Sequence, residues 1–177
     1  LYGPVDINLA VVPHVLIGGA TGSGKSLLLR MLLAQCLAKG AGESATVILC
    51  DLKGGLDYLR FKHPSFHLVT DIDSFIGILE EYVGELKTRI EILRDAGASN
   101  LKEYNENNPL HQHKRIIIAC DEVAEALDKT GLPKEAKERI DKANDYLSTV
   151  ATMGRAVGLH LLLATQRPDA NVLTGQV

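Results

Sequence analysis

The sequence predicts an α/β domain, a three-layer sandwich with a mostly parallel central sheet and helices on both faces. Three observations carry this expectation. Apolar runs alternate with helix-periodic segments, the pattern of strands joined by crossover helices. Most runs are continuous in Ile, Val and Leu rather than alternating with polar residues, which marks strands covered on both sides. A glycine-rich stretch, Gly19 to Gly24, stands between the first run and the first helical segment, where such folds hold phosphate.

In chain order, the strands are expected at His14–Gly18, Thr46–Asp51, Phe66–Val69, Arg115–Asp121 and Leu159–Thr165. One helix starts near Lys25, a long one runs from about Ile72 to Ala96, and another from Pro133 to Arg155. Thr70-Asp71 and Pro133 are good entry signals for the second and third. In the long middle helix, Phe75, Leu79, Val83, Leu86, Ile90 and Leu93 form one apolar stripe, with Glu80, Glu81, Glu85, Lys87, Arg89 and Glu91 largely elsewhere. The polar stretch Asn105–His113, which holds Pro109, is expected to be a loop. No repeat or linker divides the chain, so residues 1–177 read as a single domain.

Composition narrows the function classes. A length of 177 residues suits one domain with a sizeable core. The net charge of −3 excludes a basic nucleic-acid footprint at the level of the whole chain. Cys36, Cys50 and Cys120 lack metal-type spacing and read as buried thiols of a reducing compartment. The most apolar stretch, Leu27 to Ala38, is interrupted by Arg30 and Gln35 and is too short for a membrane span. The chain opens at Leu1 without methionine and reads as a soluble fragment of a longer protein.

Gly19-Ala20-Thr21-Gly22-Ser23-Gly24-Lys25-Ser26 matches GxxxxGK[ST] between a strand and a helix, with Leu27 continuing the first turn. Glycines let the backbone curl so that successive N–H groups make a nest for phosphate oxygens. The helix behind adds its partial positive end. Lys25 supplies a full charge to the β- and γ-phosphates, and the Ser26 hydroxyl ligates Mg²⁺. A chance match in this length is on the order of one per cent. ATP and Mg²⁺ are therefore the expected cofactors.

Ile116-Ile117-Ile118-Ala119-Cys120-Asp121-Glu122 is an apolar strand ending in two carboxylates. Asp121 at the sheet's carboxyl edge suits the Mg²⁺ shell, and Glu122 is the natural base for the attacking water. Leu161–Pro168 is a further strand ending in polar groups. Thr165 or Gln166 there either senses the γ-phosphate or positions the water, or forms an ordinary strand-end hydrogen-bond pair. His111 and His113 form an HxH that reads as solvated loop rather than metal site. His14 and His160 are expected to be packed or hydrogen-bonded at strand starts.

With these motifs placed, the chain resembles the FtsK/SpoIIIE family of P-loop ATPases over nearly its full length. The resemblance rests on Pro13 through Ser26, on Gly97–Asn105, and on Gly154-Arg155-Ala156-Val157-Gly158-Leu159-His160-Leu161 running on through Ala164-Thr165-Gln166-Arg167-Pro168 to Thr174-Gly175-Gln176. It implies a RecA-like core with the Gln166 strand between the phosphate-loop strand and the Asp121 strand. It also implies a hexameric ring with sites between subunits. Arg155 is the candidate for the arginine that reaches a neighbour's ATP, with Arg167 as the other candidate. The alternative is that Arg155 caps a helix ending near Gly154.

The implied activity is ATP-driven translocation of double-stranded DNA, in conjugation or chromosome movement. The implied setting is a cytoplasmic domain of a protein anchored at the inner face of the cell membrane. Asp51-Leu52-Lys53-Gly54-Gly55 is similar to turns in relatives that serve conjugation and type VII secretion, so a protein-secretion ATPase is the alternative function. The role of Lys53 is left open at this point.

Overall fold

A computed structural model of the chain describes residues 7–38 and 45–167. Pro168 and the Thr174-Gly175-Gln176 part of the family-like run lie outside the described residues. The elements follow in the order β1 His14–Gly18, α1 Lys25–Ala38, β2 Thr46–Cys50, β3 Phe66–Val69, α2 Ile72–Asp95, α3 Leu101–Asn107, β4 Ile116–Cys120, α4 Val123–Ala126, α5 Lys134–Val157 and β5 Leu159–Thr165. A short 3₁₀ turn, Leu56–Tyr58, lies between β2 and β3.

The strands form one five-stranded sheet in the order β1-β5-β4-β2-β3, with every neighbouring pair parallel. The β5 strand, which leads into Gln166, thus lies between the phosphate-loop strand and the Asp121 strand, as the resemblance implied. All strands point their carboxyl ends the same way, so the turns after β1, β2, β4 and β5 gather on one edge. That is where an open parallel sheet binds its ligands.

Two cores form, one on each face. Leu29 and Leu33 of α1 pack with Val47, Leu49, Ile117, Ala119 and Leu162. On the opposite face, Phe75, Leu79 and Leu86 of α2 and Leu147 and Val150 of α5 cover Ile48, Ile116, Ile118, Leu161 and Leu163. Odd and even positions of one strand thus serve different cores, which explains why both had to be apolar.

The helix ends are built as the sequence signals required. Asp71 caps α2 by accepting from Ser74 N–H at 2.8 Å. Gly158 ends α5 in the left-handed conformation at φ 75°, and its N–H donates to Gly154 O.

Four expectations need correction. Residues Asn105–Asn107 belong to α3 rather than to a loop, because Asn100 caps that helix by accepting from Glu103 N–H at 3.0 Å. The helix expected to end at Arg155 continues to Val157, so Arg155 lies within its last turn. Cys50 and Cys120 are fully buried, but Cys36 is only partly so. Arg89 is only 4% exposed rather than on the wet face of α2. Its guanidinium donates to Lys114 O at 2.9 Å and Val157 O at 3.0 Å, and its Nε pairs with Glu85 at 2.8 Å. It fastens the end of α5 to the entry of β4.

Candidate active site

The loop after β1 turns because of its glycines. Gly22 and Gly24 have φ of 79° and 92°, a region that side chains other than glycine's rarely reach. The Gly19 N–H donates to Thr165 O at 3.2 Å, which ties the loop to the end of β5. Residue Lys25 opens α1, so the loop's amides and the positive end of the helix face the same cavity.

That cavity has a volume of about 530 Å³ and is bordered by the loop, α1, Asp51, Asp121 and Gln166. Lys25 is only 8% exposed. Its ammonium lies 3.7 Å from Glu122 Oε2 and 4.0 Å from Asp121 Oδ1, and donates to Asp121 O at 3.4 Å. The Ser26 hydroxyl donates to Asp121 Oδ1 at 3.0 Å.

The donor chemistry fits Mg²⁺. A hydroxyl and a carboxylate oxygen stand within one ion's reach, and both are hard oxygen ligands. Asp51, Asp121 and Lys25 are all buried at this edge.

Glu122 belongs to the same edge but is gripped from β5. Its Oε1 accepts from the Thr165 hydroxyl at 2.9 Å and from Gln166 N–H at 3.0 Å. Gln166 Oε1 in turn accepts from the Thr21 hydroxyl at 2.6 Å. Gln166 thus bridges the phosphate loop and the Glu122 carboxylate, while Thr165 makes the strand-end bond. Of the two alternatives the sequence left open, the strand-end bond is present and neither excludes the other.

The sequence-predicted residues do not all converge. Ala20, Thr21, Gly22, Gly24, Lys25, Ser26 and Leu27 border the cavity together with Asp121 and Gln166. Gly19 and Ser23 shape the loop from behind: a Cβ at Gly19 would stand 2.5 Å from Ser23 Oγ. Glu122 borders a neighbouring cavity of about 310 Å³ with Lys53, Asp128, Gln166 and Arg167.

Arg155 is elsewhere. It precedes β5, at the amino edge of the sheet, with its Nε donating to Ala10 O at 3.3 Å. The seven residues of β5 put roughly 20 Å between that edge and the phosphate loop.

Sequence reasoning missed Arg30 and Asp57 and left the role of Lys53 in the Asp51–Gly55 turn open; all of these, with Asp51, border the cavity. The signal for Asp57 was the glycine pair Gly54-Gly55, whose φ values are 90° and 72°.

With this geometry in hand, similarity to known proteins becomes informative. The model of the FtsK/SpoIIIE family matches residues 3–170. The chain belongs to the FtsK/SpoIIIE family. Among FtsK/SpoIIIE relatives, it is 35% identical over 175 residues to DNA translocase FtsK of Caldanaerobacter subterraneus subsp. tengcongensis, covering 98% of this chain and 23% of that protein. It is 32% identical to DNA translocase SftA of Bacillus subtilis, covering 98% of this chain and 18% of the relative. The chain therefore spans about a fifth of the length of the curated relatives it matches.

Among solved structures, it superposes on the pCW3 conjugation coupling protein TcpA with ATPγS at a TM-score of 0.90 and 38% identity. That match covers 98% of this chain and 48% of TcpA. The cytoplasmic domain of the Thermomonospora curvata type VII secretion ATPase EccC matches at a TM-score of 0.72 and 31% identity, over 93% of this chain and 19% of that one. The α/β P-loop fold is that of these ATPases. Among the described residues, no helix is long and apolar enough to cross a membrane.

Proposed function

We propose that this chain is the ATP-hydrolysing core of a motor that moves double-stranded DNA, with Mg²⁺ as the cofactor of hydrolysis. The observation that carries the reading is the meeting of Ser26 and Asp121 at 3.0 Å, with Lys25 and Glu122 beside them at one sheet edge. Loop amides and Lys25 bind the β- and γ-phosphates, and Ser26 with Asp121 would hold Mg²⁺. When bound, Mg²⁺ neutralises charge across the β- and γ-oxygens.

Glu122 accepts the proton of the attacking water, held in position by Thr165 and the Gln166 amide. Gln166 connects this carboxylate to Thr21, so a phosphate that shifts the loop is felt at the base. Arg155 is too far from its own cavity to touch ATP there. In a hexameric ring it serves the neighbour's site, where a planar guanidinium neutralises the transferring phosphoryl group.

The choice of DNA is supported by the relatives named DNA translocase and by the likeness to a conjugation coupling protein. The net charge of −3 gives no basic footprint at the level of the whole chain, so DNA contacts come from local loops or from an assembled ring. The parent protein is proposed to be anchored at the inner face of the cell membrane, with this domain in the cytoplasm.

A secretion ATPase is the second reading, favoured by the Asp51–Gly55 turn and the likeness to EccC, which is the weaker of the two matches. The test is the ATPase rate of the full-length protein with and without double-stranded DNA at low salt, where phosphate contacts are strongest. Stimulation is expected. Its absence would sink the DNA reading and leave the secretion reading standing.

A further inference from the structure

Among the described residues, three buried side-chain atoms have no hydrogen-bond partner: His14 Nε2, Arg30 Nε and Tyr58 Oη. Two of the three belong to one place. Arg30 borders the phosphate cavity, and Tyr58 is 1% exposed in the core beneath it. Tyr58 packs in the core with Leu49 and Ala119, each two residues before an acid, Asp51 and Asp121, whose charges act on its unpartnered hydroxyl.

Tyr58 is held there by the turn after β2. The left-handed backbone at Gly54 and Gly55 turns the chain back on itself, and Tyr58 N–H donates to Gly55 O at 3.0 Å. Gly55 has φ 72°, a conformation that residues with side chains rarely adopt, so the turn favours glycine there. Arg30 donates to Asp57 O at 3.4 Å and its Nη1 lies 4.0 Å from the Asp57 carboxylate. Arg30 sits one helical turn beyond Ser26, so the helix that carries Ser26 also pins the turn that carries Tyr58. The phenol ring packs on Phe61, with centroids 6.0 Å apart.

An unpaired buried hydroxyl costs about 1–3 kcal/mol, and phenylalanine would fill the same space without that cost. The hydroxyl must therefore be explained by a partner at the cavity floor. Of the two carboxylates whose charges act on the hydroxyl, Asp121 is the one already engaged with Ser26.

We propose that Tyr58 is a positioning residue of the metal site. Its hydroxyl donates to the Asp121 carboxylate when Mg·nucleotide draws Asp121 into its shell, and fixes the plane in which Asp121 presents its oxygens. This rests on the Mg²⁺ reading given above. Tyr58 touches neither phosphate nor water in this role; it acts through Asp121.

The test is Tyr58→Phe in the full-length protein, with binding of a fluorescent ATP analogue followed against Mg²⁺ concentration. The expected result is a rise of about tenfold in the Mg²⁺ midpoint, the usual loss for one hydrogen bond to a charged group. Binding of the analogue in EDTA should be unchanged, and the melting temperature without nucleotide should not fall. A Mg²⁺ midpoint within twofold of the unmodified protein overturns the proposal, and a fall in melting temperature alongside would assign Tyr58 to packing. If the unmodified protein binds the analogue equally with and without Mg²⁺, the metal reading itself fails, and Tyr58 with it.

Discussion

Thr165 and Glu122, at the ends of adjacent strands, are joined by a hydrogen bond of 2.9 Å from the threonine hydroxyl to the carboxylate. Thr165 is fully buried, and its hydroxyl also accepts from Arg167 N–H at 3.0 Å. Glu122 follows β4 directly, and the bond sets where its second oxygen points.

Glu122→Gln keeps the shape of the side chain and removes its basicity. Nucleotide binding is expected to persist while turnover falls by about 10²–10⁴, the usual contribution of a positioned base. A fluorescent-nucleotide titration beside a steady-state phosphate-release assay measures both. Turnover close to that of the unmodified protein would remove Glu122 from the role.

Thr165→Val deletes only the hydroxyl that orients the base. Turnover is expected to fall by roughly tenfold, as for loss of one hydrogen bond to a charged group. Nucleotide affinity should be retained, because Thr165 does not border the phosphate cavity. The same pair of assays decides it.

Lys25→Ala should act on both binding and stability. The Lys25 ammonium stands between two carboxylates whose side chains are 8% and 11% exposed. Removing it leaves those charges unpaired in a partly desolvated site. Nucleotide affinity is expected to fall by at least tenfold, and thermal melting should fall without nucleotide as well. An unchanged melting temperature would mean that the acids relax into solvent at no cost.

Gly154→Ala tests the close approach of α5 to the sheet. A Cβ at this position would overlap Leu159 O, a backbone atom that cannot swing aside. The expected loss is about 1–3 kcal/mol of stability, as for other overpacked cores. Denaturant melts would measure it. Because Gly154 is remote from the cavity, nucleotide affinity should be preserved.

His160 gives the stability a pH dependence. It is fully buried, with Nδ1 3.0 Å from Pro13 O and Nε2 3.2 Å from Arg115. Burial first, and the Arg115 charge second, lower its pKa from 6.5 to about 4. The unfolded chain therefore binds a proton that the folded one refuses. Stability from this residue is complete above about pH 6.5 and is lost progressively as pH falls toward 4. Melting temperatures across that window should decline, and His160→Gln should flatten the decline.

Much of this architecture was legible in the residues. The phosphate loop could be read because a short contiguous motif performs its chemistry with backbone and two adjacent side chains, Lys25 and Ser26. The strands could be read because burial on both faces leaves no polar positions. The α3 helix was missed because Asn105–Asn107 are polar and precede Pro109, while the cap that starts it, Asn100, is a local hydrogen bond. Arg89 was misplaced because helical spacing says which residues share a stripe, not which polar side chain finds buried carbonyls. Those carbonyls belong to Lys114 and Val157, far along the chain.

The sequence by itself determined the parallel sheet, the phosphate grip and the acids at the end of the fourth strand, because each depends on neighbours within a few residues. Only the tertiary structure decided that Thr165 and Gln166 hold Glu122, that Arg155 stands a sheet's depth from its own cavity, and that Tyr58 packs in the core with Ala119, two residues before Asp121. These relations join residues on strands and turns tens of positions apart. Their distances are set by strand order and by the reversal at Gly54-Gly55, which no local pattern encodes.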